Sequence, residues 1–179
     1  MNLESKRLVY ERITQNHAKE LERVLCDPRV YVHVDDGCAP TFEQLLESFA
    51  LRETGSSGNR SNETWIDYIV RTKNSQVAIG RLEATVIEGR AEVAYILGAD
   101  YWGKGYGSES LVWLQYFLQK HYGVSELWAT VTPGNNASKN LLLKNGYIEM
   151  PSDNLPQLTS YDENDWVFCR VVEESRSSA

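Results

Sequence analysis

Hydrophobic and polar positions alternate in several short runs along the chain, a pattern that predicts β-strands. The first run covers residues 7–13, and three more cover 65–72, 76–87 and 90–97. Later runs cover 126–131, 147–150 and 165–172. The polar joins at 73–75 and 88–90 have the length and composition of hairpin turns. The central runs are therefore expected to pair as consecutive antiparallel strands.

Four other segments have apolar residues at the spacing of one helix face, at 16–26, 41–53, 108–122 and 133–146. Thr41 and Gln44 have the spacing of a capping box, and Gly123 follows the third segment as a helix-ending glycine. The resulting order is one strand, two helices, three strands, a helix, a strand, a helix and two strands. This order predicts an α/β (α+β) fold with a mixed sheet and helices on its faces. We expect residues 1–172 to form a single domain and residues 173–179 to be a frayed tail.

Composition narrows the function classes. The net charge of −7 argues against a nucleic-acid binder, because phosphate contacts require a basic surface. No apolar run approaches the roughly 20 residues that cross a membrane, and the N-terminus has no secretion signal. The scattered Cys26, Cys38 and Cys169 fit reduced thiols in a cytoplasmic protein. The three histidines lack metal-ligand spacing, so no metal is expected.

The chemistry-bearing feature is a glycine run between the strand at 90–97 and the helix at 108–122. Gly103, Gly105 and Gly107 alternate with other residues there. A glycine-rich segment before a helix N-terminus can cradle a phosphate, although it can equally be a flexible turn. A P-loop pattern is absent, and the dinucleotide pattern has serine in place of its last glycine, at Ser108 or Ser110.

A different motif fits this stretch better. The run from Trp102 to Gly107 resembles motif A of the GNAT N-acetyltransferase superfamily, Arg/Gln-x-x-Gly-x-Gly/Ala, with tryptophan in the first position. Residues 91–110 and 133–147 resemble the branch of ribosomal-protein N-terminal acetyltransferases; the second stretch carries its Asn-x-x-Ser and Lys-x-Gly-aromatic patterns. The opening segment, 4–13, resembles the first strand of that branch.

The resemblance implies a mostly antiparallel sheet that splays into a V-shaped cleft between the strands 91–97 and 126–131, where acetyl-CoA binds as co-substrate. The backbone of the first of these strands would hold the pantetheine arm, and the glycine run would hold the pyrophosphate. Asn135 would contact the cofactor or cap the helix that follows. The implied cofactor-binding residues are Tyr95, Ile96, Leu97, Trp102, Gly103, Lys104, Gly105, Tyr106, Gly107, Ser108 and Asn135.

The reaction that the resemblance implies needs a base for the attacking amine. Glu92 occupies the position of a glutamate in many branch members; Glu83 and an ordered water are the alternatives. Ser138 matches a serine near the thioester and could hydrogen-bond or protonate the departing thiolate. Many relatives carry a tyrosine where this chain has Leu142. An acidic, aromatic lip for a cationic acceptor is predicted at Tyr31, His33, Asp35 and Asp36.

These features predict an acetyl-CoA-dependent N-acetyltransferase that works by direct transfer in a ternary complex. No cysteine lies in the motifs, which argues against a covalent acetyl-enzyme. The acceptor would be a protein N-terminus or a small-molecule amine, and we expect a homodimer. Two other hypotheses about the function remain open: a CoA-binding or sensing module without catalysis, and a nucleotide-binding α/β protein.

Overall fold

The computed structural model describes residues 3–34, 37–55, 62–151 and 155–172. The strands are β1 (Leu8–Arg12), β2 (Glu63–Thr72), β3 (Ala78–Ile87), β4 (Arg90–Leu97), β5 (Glu126–Val131), β6 (Ile148–Met150) and β7 (Trp166–Val171). The α-helices are α1 (His17–Leu25), α2 (Phe42–Glu53), α3 (Tyr106–Tyr122) and α4 (Asn136–Lys144). Short 3₁₀ helices cover Pro28–Tyr31 and Ala99–Tyr101. The predicted order of elements is therefore confirmed.

The seven strands form one sheet in the order β1-β2-β3-β4-β5-β7-β6. Neighbouring strands are antiparallel except β4 and β5, which are parallel. A parallel connection needs a long crossover, and α3 supplies it. This mixed, mostly antiparallel sheet confirms the fold class expected from the sequence.

The parallel strands β4 and β5 separate after three residue pairs. β4 and β5 pair only at Arg90–Glu126, Ala91–Leu127 and Glu92–Trp128, whereas β4 stays paired with β3 as far as Leu97. The second half of β4 therefore has one edge without a strand partner among the described residues. This separation creates the V-shaped opening that the fold prediction included.

Helices cover both faces of the sheet. On one face α3 packs its buried Leu111, Leu114 and Leu118 against the strands, in the larger core. On the other face α1 and α2 form a second core around Leu21, Leu25, Leu45 and Phe49. The Thr41–Gln44 capping box is present at the start of α2, as predicted. In the described part of the chain, no helix has both the length and the apolarity to cross a membrane.

Candidate active site

A cleft of about 490 Å³ lies where β4 and β5 separate. Its walls come from the open edge of β4, the glycine loop, the first turn of α3 and the start of α4. Nearly all the predicted cofactor residues line it: Tyr95, Ile96, Leu97, Trp102, Gly103, Gly105, Tyr106, Gly107, Ser108 and Asn135. Lys104 lies in the loop but is not part of the lining, and its ammonium lies over the Tyr101 ring.

The glycine loop ends in a helix N-terminus that faces the cleft. α3 begins at Tyr106, two residues earlier than the sequence pattern predicted. Its first helical hydrogen bond runs from the Glu109 amide to the Gly105 carbonyl, 3.1 Å, so the amides of residues 106–108 precede it. Such amides carry the partial positive charge of the helix end and suit a phosphate.

Glycine is required at two positions of this segment, for different structural reasons. Gly105 caps α3 in the left-handed region, at φ 78°, where a side chain would be strained. Gly107 is helical, but a Cβ there would lie 2.6 Å from Cδ1 of Leu141. Gly107 therefore allows α3 and α4 to approach closely, which the sequence pattern had not distinguished from loop flexibility.

Arg7, which lies outside the motif, and Trp102, its first residue, hold this loop in place. The Arg7 guanidinium donates to the Glu109 carboxylate through Nε (2.6 Å) and to the Lys104 carbonyl through Nη1 (2.9 Å). It also lies over the Tyr106 ring, 4.5 Å from the centroid. The Trp102 indole donates to the Leu97 carbonyl at 2.7 Å, which ties the loop to the end of β4. Sequence reasoning missed Arg7; its position in the branch-like first strand was the available signal.

Glu109 is the centre of this brace. Its Oε1 accepts hydrogen bonds from the Ser5 hydroxyl (2.7 Å) and the Arg7 amide (2.6 Å). Burial alone would raise the pKa of Glu109, but the hydrogen bonds from Ser5 and Arg7 outweigh it and hold the pKa below its usual value. The carboxylate is therefore a stable anion that links the N-terminal segment to the helix start.

Asn135 and Ser138 sit at the start of α4, on the β5 side of the cleft. The Asn135 side chain caps the helix by accepting from the Ser138 amide at 3.1 Å. Asn135, rather than Asn136, is thus the cap, and it also lines the cleft. The Ser138 hydroxyl lies 2.8 Å from the Tyr95 hydroxyl, which reaches it from β4. Burial raises the pKa of Tyr95 to about 12, although the hydrogen bond with Ser138 partly opposes this.

A second cavity, of about 450 Å³, lies on the opposite side of the point where the strands separate. It includes Glu92 and Trp128, the last paired residues of β4 and β5. By strand alternation their side chains project to the sheet face that carries α1 and α2. Glu63, Glu88 and Arg90 supply the other charges of its lining.

The Glu92 carboxylate is heavily hydrogen-bonded. One oxygen accepts from the amide (2.6 Å) and hydroxyl (2.5 Å) of Thr159, and the other accepts from the amide (3.0 Å) and hydroxyl of Ser160. Four donors occupy the lone pairs that a base would use. Glu83 pairs with Arg52 (2.8 Å) and Arg81 (2.7 Å) and lines neither cavity.

The predicted acceptor lip is not assembled as one surface in the described residues. Tyr31 is buried, whereas the exposed His33 ring lies beside Gly134, 3.8 Å from where a Cβ would be. Val30 and Val34 of the same connection line the cleft between β4 and β5. Asp35 and Asp36 lie outside the described residues.

Comparison with known proteins is consistent with this geometry. Residues 7–148 match the family model for the acetyltransferase (GNAT) domain. The chain belongs to the GNAT acetyltransferase family. Among curated proteins this GNAT acetyltransferase is similar to an uncharacterized N-acetyltransferase, p20, of Bacillus licheniformis, with 25% identity over 143 residues, 78% of each chain. It is an acyltransferase by family, as the sequence predicted.

Solved structures share the fold of this GNAT acetyltransferase. A GNAT-family acetyltransferase from Bacillus anthracis superposes with a TM-score of 0.74 at 15% identity, over 96% of this chain and 98% of the other. A putative ribosomal-protein-serine acetyltransferase from Vibrio cholerae gives 0.73 at 18% identity, with the same coverage. The aminoglycoside acetyltransferase AAC(6')-Ib, in complex with ribostamycin and coenzyme A, gives 0.72 at 16% identity, over 96% and 99%.

Proposed function

We propose that this protein transfers the acetyl group of acetyl-CoA to a primary amine, directly, within a ternary complex. The observation that carries the proposal is the early separation of β4 from β5 beside a helix N-terminus. The open β4 edge at residues 95–97 offers backbone groups to an extended pantetheine arm, as in strand addition. The amides at the start of α3 offer donors to a pyrophosphate. The donor supplies an activated acetyl thioester when bound.

Two cavities lined by neighbouring stretches of β4 support a ternary complex. Glu92 and Tyr95 are three residues apart on β4, about 10 Å along a strand, and they line different cavities. We assign the cofactor to the cleft with Tyr95 and the acceptor amine to the cavity with Glu92 and Trp128. The cavity has three carboxylates, of Glu63, Glu88 and Glu92, against one guanidinium, which favours a cationic acceptor.

In this arrangement Glu92 anchors the segment around Thr159 and Ser160 that closes the acceptor cavity. The attacking nitrogen must lose a proton, and we assign that proton to an ordered water at the junction of the cavities, because the Glu92 lone pairs are occupied. Ser138 lies in the cofactor cleft, on the side from which a departing sulfur could be hydrogen-bonded.

The acceptor class is a small amine in this proposal, by analogy with AAC(6')-Ib, whose structure contains ribostamycin. The Vibrio cholerae structure, named as a ribosomal-protein-serine acetyltransferase, favours a protein acceptor instead, and the branch resemblance favours a protein N-terminus. A panel that contains polyamines, an aminoglycoside and a short peptide with a free N-terminus separates these two classes. Gel filtration with light scattering would test the expected homodimer.

The first test is thermal unfolding with acetyl-CoA, CoA, ATP and NAD at equal concentrations. A ligand at one hundred times its Kd adds roughly 2.7 kcal/mol to the free energy of unfolding, which raises Tm by about 5–10 °C for a chain of this size. We expect the rise with the two CoA compounds alone, followed by thiol release with members of the amine panel. A larger rise with ATP or NAD would refute the assignment, and CoA binding without thiol release would favour a sensing module.

A further inference from the structure

One polar contact in the cofactor cleft joins two elements that are far apart in sequence. The Tyr95 hydroxyl of β4 lies 2.8 Å from the Ser138 hydroxyl of α4. Both residues line the cleft, and the Tyr95 ring packs against the larger core. The Ser138 amide donates to the Asn135 side chain at 3.1 Å. The backbone of Ser138 is therefore held by the helix cap, and its hydroxyl is in contact with Tyr95.

The direction of this hydrogen bond has chemical consequences. A serine hydroxyl has one hydrogen to donate and can accept from another hydroxyl at the same time. With a pKa raised to about 12 by burial, the Tyr95 hydroxyl keeps its proton at neutral pH and remains a donor. The Tyr95 hydroxyl has two acceptors within reach, Ser138 Oγ at 2.8 Å and the Ser138 carbonyl at 3.4 Å, and Ser138 Oγ is the nearer. If Tyr95 donates to Ser138 Oγ, the single Ser138 hydrogen is left to point elsewhere in the cleft.

The same molecule contains a pair whose direction is determined. Ser5 Oγ donates to the Glu109 carboxylate at 2.7 Å, so its only hydrogen is used. Tyr10, whose hydroxyl lies 3.0 Å from Ser5 Oγ, must therefore be the donor in that contact. This protein therefore already contains one chain of hydrogen bonds in which a buried tyrosine donates to a serine and the serine donates to an anion.

We propose that Tyr95 is a positioning residue for the transfer step: it donates to Ser138 Oγ and thereby directs the Ser138 hydrogen toward the thioester sulfur. In the reaction the N–C bond forms, the C–S bond breaks and its electron pair leaves on sulfur. A cationic amine would lose two protons to water, one before it attacks and one after the N–C bond forms. The sulfur anion would be stabilised by the Ser138 hydrogen bond until it takes one proton back from water, so that one proton is released overall. This inference rests on the proposed function.

The helix that carries Ser138 offers no other hydroxyl at the position where many relatives have a tyrosine. That position is Leu142, which is fully buried in the larger core. The Tyr95 hydroxyl enters the cleft from β4 instead. A purely structural bridge between β4 and α4 would change stability but not turnover, so the experiment separates the orientation of Ser138 from stability.

The experiment compares Tyr95→Phe, Ser138→Ala and the double variant, with Tyr147→Phe as the matched control. Tyr147 is a fully buried core tyrosine, whereas Tyr95 is partly buried against the same core. Burial raises the pKa of both, but Tyr147 does not line the cleft. Initial rates of thiol release give kcat and KM for acetyl-CoA, calorimetry gives the Kd of CoA, and thermal unfolding gives Tm. The acceptor is the amine from the panel that wild type turns over fastest.

We expect Tyr95→Phe to lower kcat about tenfold, the effect of one lost hydrogen bond to a charged group, with KM and the Kd of CoA within about twofold. In the Ser138→Ala background the tyrosine substitution should have no further effect, because it acts only through the serine. Tyr147→Phe should leave kcat unchanged.

An unchanged kcat for Tyr95→Phe, additive losses in the double variant, or a loss confined to Tm would each overturn the positioning role. In those cases wild type remains active, and the proposed function stands. If wild type itself releases no thiol with any amine while binding CoA, the proposed function fails and this inference fails with it.

Discussion

The two cavities beside the β4–β5 junction are of similar size, about 490 and 450 Å³, but they are built differently. The cofactor cleft presents backbone: an open strand edge, a glycine loop and a helix N-terminus. The acceptor cavity presents side chains, chiefly the charges of Glu63, Glu88, Arg90 and Glu92, from β2, β4 and the turn before β4. A site that binds its ligand through backbone groups can be predicted from local sequence patterns. A site that binds through side chains depends on which residues the fold brings together.

The bracing of the two cavities differs in the same way. Glu109 and Arg7 hold the cofactor loop from the outside, without entering the cleft. Glu92 lines the acceptor cavity and at the same time holds its wall at Thr159 and Ser160. A change to the first brace should therefore act on cofactor affinity alone, and a change to the second should affect turnover.

The largest effect should come from Gly105→Val, which places a β-branched residue at φ 78° and a Cβ within 3.3 Å of Arg7 Nη2. Strain in the left-handed region costs about 1–2 kcal/mol or more, so we expect acetyl-CoA to bind roughly thirtyfold more weakly by calorimetry. Gly123→Val is the matched control, at φ 63° with no atom within 4 Å. Equal loss of cofactor affinity in both variants would show that the backbone at Gly105 has no specific role in binding acetyl-CoA.

Arg7→Ala should raise KM for acetyl-CoA about tenfold, because two hydrogen bonds that hold the loop are lost. Activity with S-acetylpantetheine, which lacks the pyrophosphate, should be unchanged. Lys6→Ala, an exposed neighbour, serves as control. Similar losses with both donors would mean that Arg7 supports the whole fold rather than the loop.

Glu92→Gln should lower kcat about threefold to tenfold, since an amide keeps part of the contact with Thr159 and Ser160. Removal of a general base costs about a hundredfold or more. Steady-state rates at saturating substrates distinguish the two roles. A hundredfold loss with unchanged Tm would make Glu92 the base, as first predicted from the sequence.

Glu63→Gln should raise KM for 1,5-diaminopentane about threefold relative to pentylamine, because one buried carboxylate of the acceptor cavity becomes neutral. The Kd of CoA should not change. Glu47→Gln, on the exposed side of α2, makes the same change in net charge away from the cavity. If both variants shift KM equally, the cavity does not select the cation.

The last effect concerns stability, not activity, on the face that carries α1 and α2. Burial raises the pKa of Asp67 to about 6, although Arg52 opposes the shift from 2.7 Å. Between about pH 4 and 6 the native state holds a proton that the unfolded chain releases, so this group's contribution to stability falls as pH rises through that window.

Asp67→Asn should remove this dependence, and the stability of wild type relative to the variant should fall by about 1–3 kcal/mol from pH 4 to pH 7. Urea unfolding across that range measures it, with Asp100→Asn, at an exposed carboxylate, as control. Parallel curves for wild type and the Asp67 variant would contradict the buried-charge interpretation.

Much of the fold could be predicted because its signals are local. Strand alternation gave β4 and β5 with their observed bounds, and the Thr41–Gln44 spacing gave the α2 cap. The residues of β4, the glycine loop and α4 that line the larger cleft could be predicted together because each group is contiguous and follows a motif. The exception was Gly107, whose role depends on Leu141, 34 positions away.

The residues of the proposed acceptor cavity were harder to predict, because they come from separate segments of the chain. The sequence placed a lip at Tyr31 and His33, yet Tyr31 is buried and the neighbouring Val30 and Val34 line the cofactor cleft. Glu63 carried no motif, and it joins the cavity only through the pairing of β2 with β3. Glu92 was found, but its hydrogen bonds to Thr159 and Ser160 come from a segment 67 residues away.

The sequence by itself determined the order of elements, the family resemblance and the glycine loop before α3, because periodicity, capping and glycine chemistry act over a few residues. Only the tertiary structure decided how the brace of Arg7 and Glu109 forms, which hydroxyl meets Ser138 and which carboxylates share a cavity. The first two of these contacts join positions 102 and 43 residues apart, and all of them exist only once the sheet has formed.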